Sequence, residues 1–228
     1  MYKIILWDLD NTLLDFFSAE AFSLNRRFDE NGLGECTVEM ARRFDAINNK
    51  YWQLLEEEKL TRSEALTQRF AELFKNEGIT FNGSLERFNQ AFELGLADEV
   101  FFVENSLELV ASLKGEFSQY AVTNGAVVVQ NKRLQKSGFD KLFDGVFISE
   151  GVGFDKPSVE FFNYVFKNIP PCKREEVIII GDSLTSDMLG GNNANITTCW
   201  YNPAGKKNTI GAAINYEIKT LSEILKII

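Results

Sequence analysis

Short apolar runs that alternate with helical stretches most constrain how this chain can fold. From about residue 101 onward, runs rich in β-branched and aromatic residues each precede a stretch with helical spacing of its apolar positions. Strands that are separated by helices need crossover connections, which make neighbouring strands parallel. The sequence therefore predicts an α/β fold with a mostly parallel sheet, its strands lying at residues 3–7, 120–123, 145–149, 177–180 and 197–201.

A second pattern occupies the stretch between the first two predicted strands. Apolar residues recur there at helical spacing in four successive segments, and Thr61 followed by Glu64 forms a capping box that begins the third helix. We expect an all-helical insertion at residues 15–99 and an α/β core made of residues 1–14 and 100–228. Such an insertion would form a separate cap subdomain.

Two pairs of carboxylates follow predicted strands. Asp8 and Asp10 stand at the end of the first strand, and Asp182 and Asp187 follow the fourth. Acids at a strand end must be hydrated, paired or bound to a cation, because burying an uncompensated carboxylate is very costly. Two acidic loops that converge on one ion would satisfy both pairs, so the sequence predicts a metal site.

Other candidate residues follow the two strands in between. Thr123 and Asn124 end the second strand, and Lys156 comes shortly after the third. In an open parallel sheet, ligands bind beyond the carboxyl ends of the strands, so these residues can meet the acids in one crevice. Two purely structural interpretations remain open: Asn124-Gly125 could be a hairpin turn, and Lys156 could be a solvated loop lysine.

Composition excludes several classes of function. The chain has no histidine, which removes Ser-His-Asp and Cys-His catalysis and leaves carboxylates as the natural acid–base groups. Its net charge of −9 argues against a nucleic-acid polymer or an anionic membrane as partner. Three dispersed cysteines and the lack of an N-terminal secretory or membrane-spanning run favour a cytoplasmic protein.

The ordered set of acid pair, hydroxyl, ammonium and acid pair resembles the haloacid-dehalogenase (HAD) superfamily of phosphohydrolases. The residues that carry the resemblance are Asp8, Asp10, Thr123, Lys156, Asp182 and Asp187. The resemblance implies a Rossmann-like parallel sheet with a helical cap inserted after the first acidic loop. It also implies a magnesium-dependent phosphatase that acts on a small phosphomonoester, as a monomer or homodimer.

The resemblance assigns a role to each acid. Asp8 would be the nucleophile that forms an aspartyl-phosphate, and Asp10 would be the general acid and base. Magnesium would be held by the side chains of Asp8 and Asp182 and by the backbone carbonyl of Asp10, because this hard ion prefers oxygen ligands. Asp187 would be a direct ligand or would orient metal-bound waters.

The remaining residues would bind the phosphate. The Thr123 hydroxyl and neighbouring backbone amides, including that of Asn124, would hold the equatorial oxygens, while Lys156 would balance their charge in the transition state.

A narrower likeness concerns the substrate. The segment at residues 181–187, with the residues that follow as far as Pro203, resembles the bacterial 5′-nucleotidase branch that acts on pyrimidine nucleoside monophosphates. A sugar-phosphate phosphatase or phosphomutase would use the same acid pair. A dehalogenase is disfavoured because that branch lacks the acid supplied here by Asp10. A receiver-like phosphorylation switch is the non-enzymatic alternative.

Overall fold

The computed structural model describes residues 1–56 and 59–228, which form two compact units. The first unit comprises Met1–Asp15 and Phe102–Ile228, and the second comprises Phe16–Phe101. Each unit packs around its own core. That the second unit serves as a cap stays a prediction.

Within the described residues, the first unit contains a sheet of six parallel strands in the order β3-β2-β1-β4-β5-β6. This order is that of a doubly wound α/β sheet, so the predicted fold class is confirmed. The strands are β1 (Ile4–Trp7), β2 (Ser118–Thr123), β3 (Gly145–Ile148), β4 (Val177–Gly181), β5 (Thr197–Tyr201) and β6 (Tyr216–Ile218).

Helices connect the strands from β1 to β5, and most of them lie where the sequence predicts, although the short helix directly after β3 was not predicted. The connecting helices are α5 (Ser106–Ser112), α6 (Val127–Ser137), α7 (Ser149–Val152), α8 (Val159–Lys167) and α9 (Leu189–Asn193). A continuous helix predicted around residues 187–193 begins instead as a π-helical turn, Leu184–Met188. The reason is that the backbone N–H groups of Asp187 and Met188 both donate to Ser183 O, each at 3.1 Å.

The sheet is stabilised by apolar residues on its two central strands, β1 and β4. All four residues of β1 and all five of β4 are buried, as is expected of parallel strands covered on both faces. The phenyl rings of Phe161 and Phe162 from α8 lie in the same cluster as Leu6 and Ile179. This packing fixes the ends of the strands, from which the polar residues extend.

The second unit contains four helices in its described residues: α1 (Phe16–Asn31), α2 (Val38–Glu56), α3 (Arg62–Asn76) and α4 (Leu85–Gly95). The predicted capping box is present, because Thr61 Oγ1 accepts from Glu64 N and Glu64 Oε2 accepts from Thr61 N. The core of the second unit is a set of phenylalanines from α2, α3 and α4, in which the rings of Phe44 and Phe70 stack with 4.9 Å between their centroids. No described helix combines the length and apolarity that crossing a membrane requires.

A buried polar chain crosses this aromatic core. The guanidinium of Arg69 donates to Asn48 Oδ1 and Asn89 Oδ1, each at 2.6 Å, and lies over the rings of Phe70 and Phe92. Asn48 in turn donates to Glu20 Oε1 at 2.7 Å. We call Glu20, Asn48, Arg69 and Asn89 the helical-unit polar chain.

Candidate active site

The site lies at the carboxyl edge of the three central strands. Asp8 directly follows β1, Thr123 is the last residue of β2, and Asp182 directly follows β4. Because β1 lies between β2 and β4, these strand ends are adjacent. The ladder also extends one residue beyond β1, since Asp8 N donates to Ile180 O at 2.9 Å.

Lys156 is the central cation of the site. Its Nζ donates to Asp8 Oδ1 at 2.8 Å, to Asp187 Oδ1 at 2.6 Å and to Val122 O at 2.8 Å. The residue is only 1% exposed. The interpretation of Lys156 as a solvated loop residue is therefore wrong.

Asn124 holds the backbone of Lys156 from both sides. Its Oδ1 accepts from Lys156 N, and its Nδ2 donates to Lys156 O, each at 2.8 Å. The Asn124-Gly125 step leads into α6 rather than a second strand, so the hairpin interpretation is also wrong. The Asn124 side chain is therefore occupied by the Lys156 backbone. Contact of the Asn124 backbone amide with the phosphate stays a prediction.

Three carboxylates come together around the lysine. One oxygen each from Asp8, Asp182 and Asp187 lies within 4.8 Å of the others. Asp187 is fully buried, and its Oδ2 accepts from Ser183 N at 3.1 Å. An added Cβ on Gly181 would lie 2.2 Å from Asp187 Oδ2, so a glycine is needed there for space. Trp200 Nε1 fixes the neighbouring backbone by donating to Asp182 O at 2.8 Å.

The electrostatics of this cluster are unbalanced. Burial, together with the charge of Asp187, raises the pKa of Asp8 to about 7, although Lys156 opposes the shift. Burial and the charges of Asp8 and Asp187 likewise raise the pKa of Asp182. Burial alone would lower the pKa of Lys156, but the carboxylates of Asp187 and Asp8 outweigh it and raise that pKa. One ammonium thus faces three acids.

The donor set fits a divalent cation. The three carboxylates supply oxygen ligands close enough to share one ion, and oxygen ligands are those that magnesium prefers. Burial and the neighbouring carboxylates raise the pKa values of Asp8 and Asp182, and a divalent cation would offset the crowded negative charge. The backbone carbonyl of Asp10, two residues beyond Asp8, remains the predicted fourth protein ligand.

The Asp10 side chain points to a different set of partners. Arg133 Nη1 donates to Asp10 Oδ1, and Gln130 Nε2 donates to Asp10 Oδ2 at 2.8 Å. The same Gln130 amide donates to Thr123 Oγ1 at 2.8 Å. Because the Thr123 hydroxyl accepts that bond, its own proton can be given to another acceptor, such as a phosphate oxygen.

Gln130 and Arg133 are site residues that the sequence motifs do not include. Both belong to α6 and are buried, with exposures of 2% and 3%. One signal was available: they lie three residues apart on the helix face that also carries the buried Val129 and Leu134. Polar residues on an apolar stripe, directly after a strand that ends in Thr123, would have marked them.

Comparison with known proteins identifies similar chains over the whole length. A family model described as haloacid dehalogenase-like hydrolase matches residues 5–201. The HAD-hydrolase YfnB of Bacillus subtilis is 39% identical over 227 residues, covering 100% of this chain and 95% of YfnB. The crystal structure of YfnB bound to magnesium has a TM-score of 0.93 and covers 99% of this chain and 98% of YfnB.

Two further relatives have a named activity. The pyrimidine 5′-nucleotidase PynA of Streptococcus pneumoniae is 35% identical over 225 residues, covering 98% of this chain and 94% of PynA. The pyrimidine 5′-nucleotidase YjjG of Escherichia coli is 28% identical over 220 residues, covering 96% of this chain and 95% of YjjG.

Proposed function

Because the chain belongs to the haloacid dehalogenase-like hydrolase family, we propose that it hydrolyses small phosphate monoesters through an aspartyl-phosphate on Asp8. Its preferred substrates would be pyrimidine nucleoside 5′-monophosphates. The predicted hydrolase class is confirmed by the family, whereas the substrate and the mechanism belong to this proposal.

The contact between Asp8 and Lys156 carries the proposal. A nucleophilic carboxylate needs a fixed orientation and a nearby positive charge that attracts the phosphate. Lys156 Nζ holds Asp8 through Oδ1, which fixes the direction of Oδ2, and it does so at the carboxyl end of β1. The hydrogen bonds from Asn124 to the Lys156 backbone support this role, because they fix the turn from which the lysine reaches Asp8.

The reaction would proceed in two steps. In the first, an Asp8 oxygen bonds to phosphorus as the bond from phosphorus to the leaving oxygen breaks, and Asp10 gives its proton to that oxygen. In the second, water attacks phosphorus and passes a proton to Asp10, which frees Asp8. Throughout, the Thr123 hydroxyl would hold a phosphate oxygen, and the charge of Lys156 would balance that of the phosphate.

Magnesium held by Asp8, Asp182, Asp187 and the Asp10 carbonyl would screen the carboxylates from the negative charge of the phosphate. The acid cluster described above supports this assignment.

The named activities of PynA and YjjG support the substrate class, since both relatives cover nearly the whole chain. The second unit, Phe16–Phe101, would supply the substrate preference as a cap, because in shared catalytic scaffolds the variable parts decide specificity.

A panel assay tests the proposal. Phosphate release would be measured from the 5′-monophosphates of uridine, deoxyuridine, thymidine, adenosine and guanosine and from hexose phosphates, with magnesium and with EDTA. We expect magnesium-dependent release that is fastest from the pyrimidine nucleotides. A preference for hexose phosphates would overturn the substrate class.

Two controls accompany the panel. The Asp8→Asn variant, purified in the same way, reports any contaminating phosphatase, and acid quenching of the wild type with labelled substrate should trap phosphate on the protein. An aspartyl-phosphate that persists for minutes with no turnover would favour the receiver-like switch instead.

A further inference from the structure

We propose that Arg133 and Gln130 are positioning residues that align the Asp10 carboxyl group for both proton transfers, an inference that rests on the proposed function. They touch Asp10 rather than the substrate phosphate. Their work would be to fix the direction of the carboxyl oxygens toward the leaving group and, later, toward the attacking water.

The contacts form a closed ring. Arg133 Nη1 donates to Asp10 Oδ1 and, at 3.0 Å, to Gln130 Oε1. Gln130 Nε2 closes the ring by donating to Asp10 Oδ2 at 2.8 Å. A carboxylate that is engaged at both oxygens by two different side chains cannot rotate about its terminal bond without breaking one of these hydrogen bonds.

Gln130 also couples two parts of the site. Its amide nitrogen donates at 2.8 Å both to Asp10 Oδ2 and to Thr123 Oγ1. The group that would transfer the proton and the hydroxyl that would hold the phosphate are therefore attached to one amide. Their separation is set by the geometry of a single side chain.

The burial of these residues favours a role in the site over a role in helix packing alone. The side chain of Arg133 is 3% exposed, whereas that of its partner Asp10 is 25% exposed. A buried charge is weak support for stability, since well-packed apolar residues of similar size often serve as well or better. Two buried polar side chains of α6 that both donate to a partly exposed acid are better explained by their effect on the orientation of that acid.

Gly125 provides a separate observation. A Cβ at this position would lie 2.8 Å from Gln130 Cγ and 2.9 Å from Gln130 Nε2. The missing side chain therefore leaves the space that Gln130 occupies when it reaches Asp10 and Thr123. Gly125→Ala should displace Gln130 while leaving the whole ring of residues chemically intact.

The test uses the leaving group. A strongly basic alkoxide needs Asp10's proton as its bond to phosphorus breaks, whereas the weakly basic p-nitrophenolate departs without it. Misaligning Asp10 should therefore slow the alkyl ester far more. We would measure kcat/KM, which reports the steps up to the first irreversible one, for the best nucleotide of the panel and for p-nitrophenyl phosphate.

For Arg133→Met and Gln130→Met we expect a loss of about 100-fold in kcat/KM with the nucleotide, a typical contribution of general acid–base catalysis. With p-nitrophenyl phosphate we expect less than about a fivefold loss, and Arg133→Lys should recover part of the nucleotide activity. Gly125→Ala should resemble Gln130→Met.

Matched controls exist on the same helix. Lys132→Met and Gln135→Met remove the same kinds of side chain from exposed positions of α6 and should leave both substrates unaffected. Thermal unfolding would confirm that each variant is folded. If Arg133→Met does not fold, Gly125→Ala and Gln130→Met still decide the matter, because both retain the arginine.

Equal losses with both substrates, or no loss with either, would overturn the positioning role. Failure of the proposed function would look different. In that case, the wild type would release no phosphate from any ester, or Asp8→Asn would remain active, whatever the substitution at position 133.

Discussion

The two units each bury a basic side chain among polar partners, but the balance of charge differs. In the α/β unit, Lys156 faces three carboxylates, and the pKa of Asp8 is raised to about 7 by burial and by Asp187. In the helical unit, Arg69 donates to the neutral amides of Asn48 and Asn89, aromatic rings cover its faces, and the nearest carboxylate oxygen among the described residues, that of Glu93, lies 4.0 Å away.

This difference distinguishes the candidate active site of the α/β unit from the structural polar chain of the helical unit. The hydrogen bonds of the buried Arg69 end on neutral amides, which orders the helices around it, and burial chiefly accounts for the raised pKa of the nearby Glu20, about 8. One buried ammonium cannot neutralise three carboxylates, so the excess negative charge calls for a further cation. The close grouping of three acids around one cation, rather than burial of charge or a raised pKa, therefore marks the place where chemistry should be sought.

The largest expected effect is on activity in the α/β unit. Asp8→Asn should lower kcat by about 10⁴-fold or more, because the proposed nucleophile is gone. Its free energy of unfolding in EDTA should be no lower than that of the wild type, since one of three crowded charges is removed. Steady-state kinetics and urea unfolding check both parts, with the exposed Asp140→Asn as control. Substantial residual turnover would contradict the mechanism.

The opposite result is expected for the helical-unit polar chain. Arg69→Met should lower the free energy of unfolding by about 3–5 kcal/mol, because the buried amides of Asn48 and Asn89 lose their donor. The activity of the folded fraction should stay near the wild-type value. Urea unfolding and kinetics would be compared with Arg87→Met, an exposed arginine of the same unit. Activity lost without a loss of stability would assign Arg69 to the site.

Each unit should make its own contribution to the pH dependence of the free energy of unfolding. Burial and the charge of Asp187 raise the pKa of Asp8 to about 7, and burial raises the pKa of Glu20 to about 8. The folded protein therefore binds more protons than the unfolded chain above about pH 4, so stability falls as pH rises toward 7 and 8. In EDTA, each group should contribute a decrease of a few kcal/mol.

Magnesium and one substitution separate these contributions. Magnesium should abolish the decrease that comes from Asp8, because the cation replaces the protons, while Glu20→Gln should remove only the decrease that comes from Glu20. Urea unfolding between pH 5 and pH 8, with and without magnesium, provides the measurement. A pH profile that magnesium leaves unchanged would argue against metal binding at the acid cluster.

The smallest effect concerns the space beside Asp187. Gly181→Ala should weaken magnesium binding by about 10–100-fold, because the new Cβ would displace the Asp187 carboxylate. Gly151→Ala is a suitable control, since its Cβ would lie 3.3 Å from a single methyl group of Val127. Calorimetric titration with magnesium checks the prediction. Unchanged affinity in Gly181→Ala would show that Asp187 is not needed to hold the ion.

Much of the fold could be predicted because the central strands are wholly apolar. β6 (Tyr216–Ile218) was missed, since it is a three-residue edge strand in which Ile218 is buried and Tyr216 and Glu217 are exposed. A strand with one buried residue has no hydrophobic period to detect. The prediction that the strand at residues 197–201 is the last in the chain is therefore wrong.

The position of the site could also be predicted, because a parallel sheet brings the polar ends of its strands to one edge. The partners of Asp10 were not predicted, although Gln130 and Arg133 share a helix face with the buried Val129 and Leu134. Whether Gln130 and Arg133 face solvent or the sheet depends on how α6 packs, and their residue types alone favour solvent. The roles of the individual site residues stay predictions.

Trp200 gives the protein a natural optical reporter. Its indole N–H donates to the carbonyl of Asp182, and its ring is 98% buried, being only 2% exposed. A cation that pulls on the Asp182 loop would alter the polarity and hydrogen bonding around the indole, and hence its emission. Occupancy of the acid cluster should therefore be readable from intrinsic fluorescence in the absence of substrate.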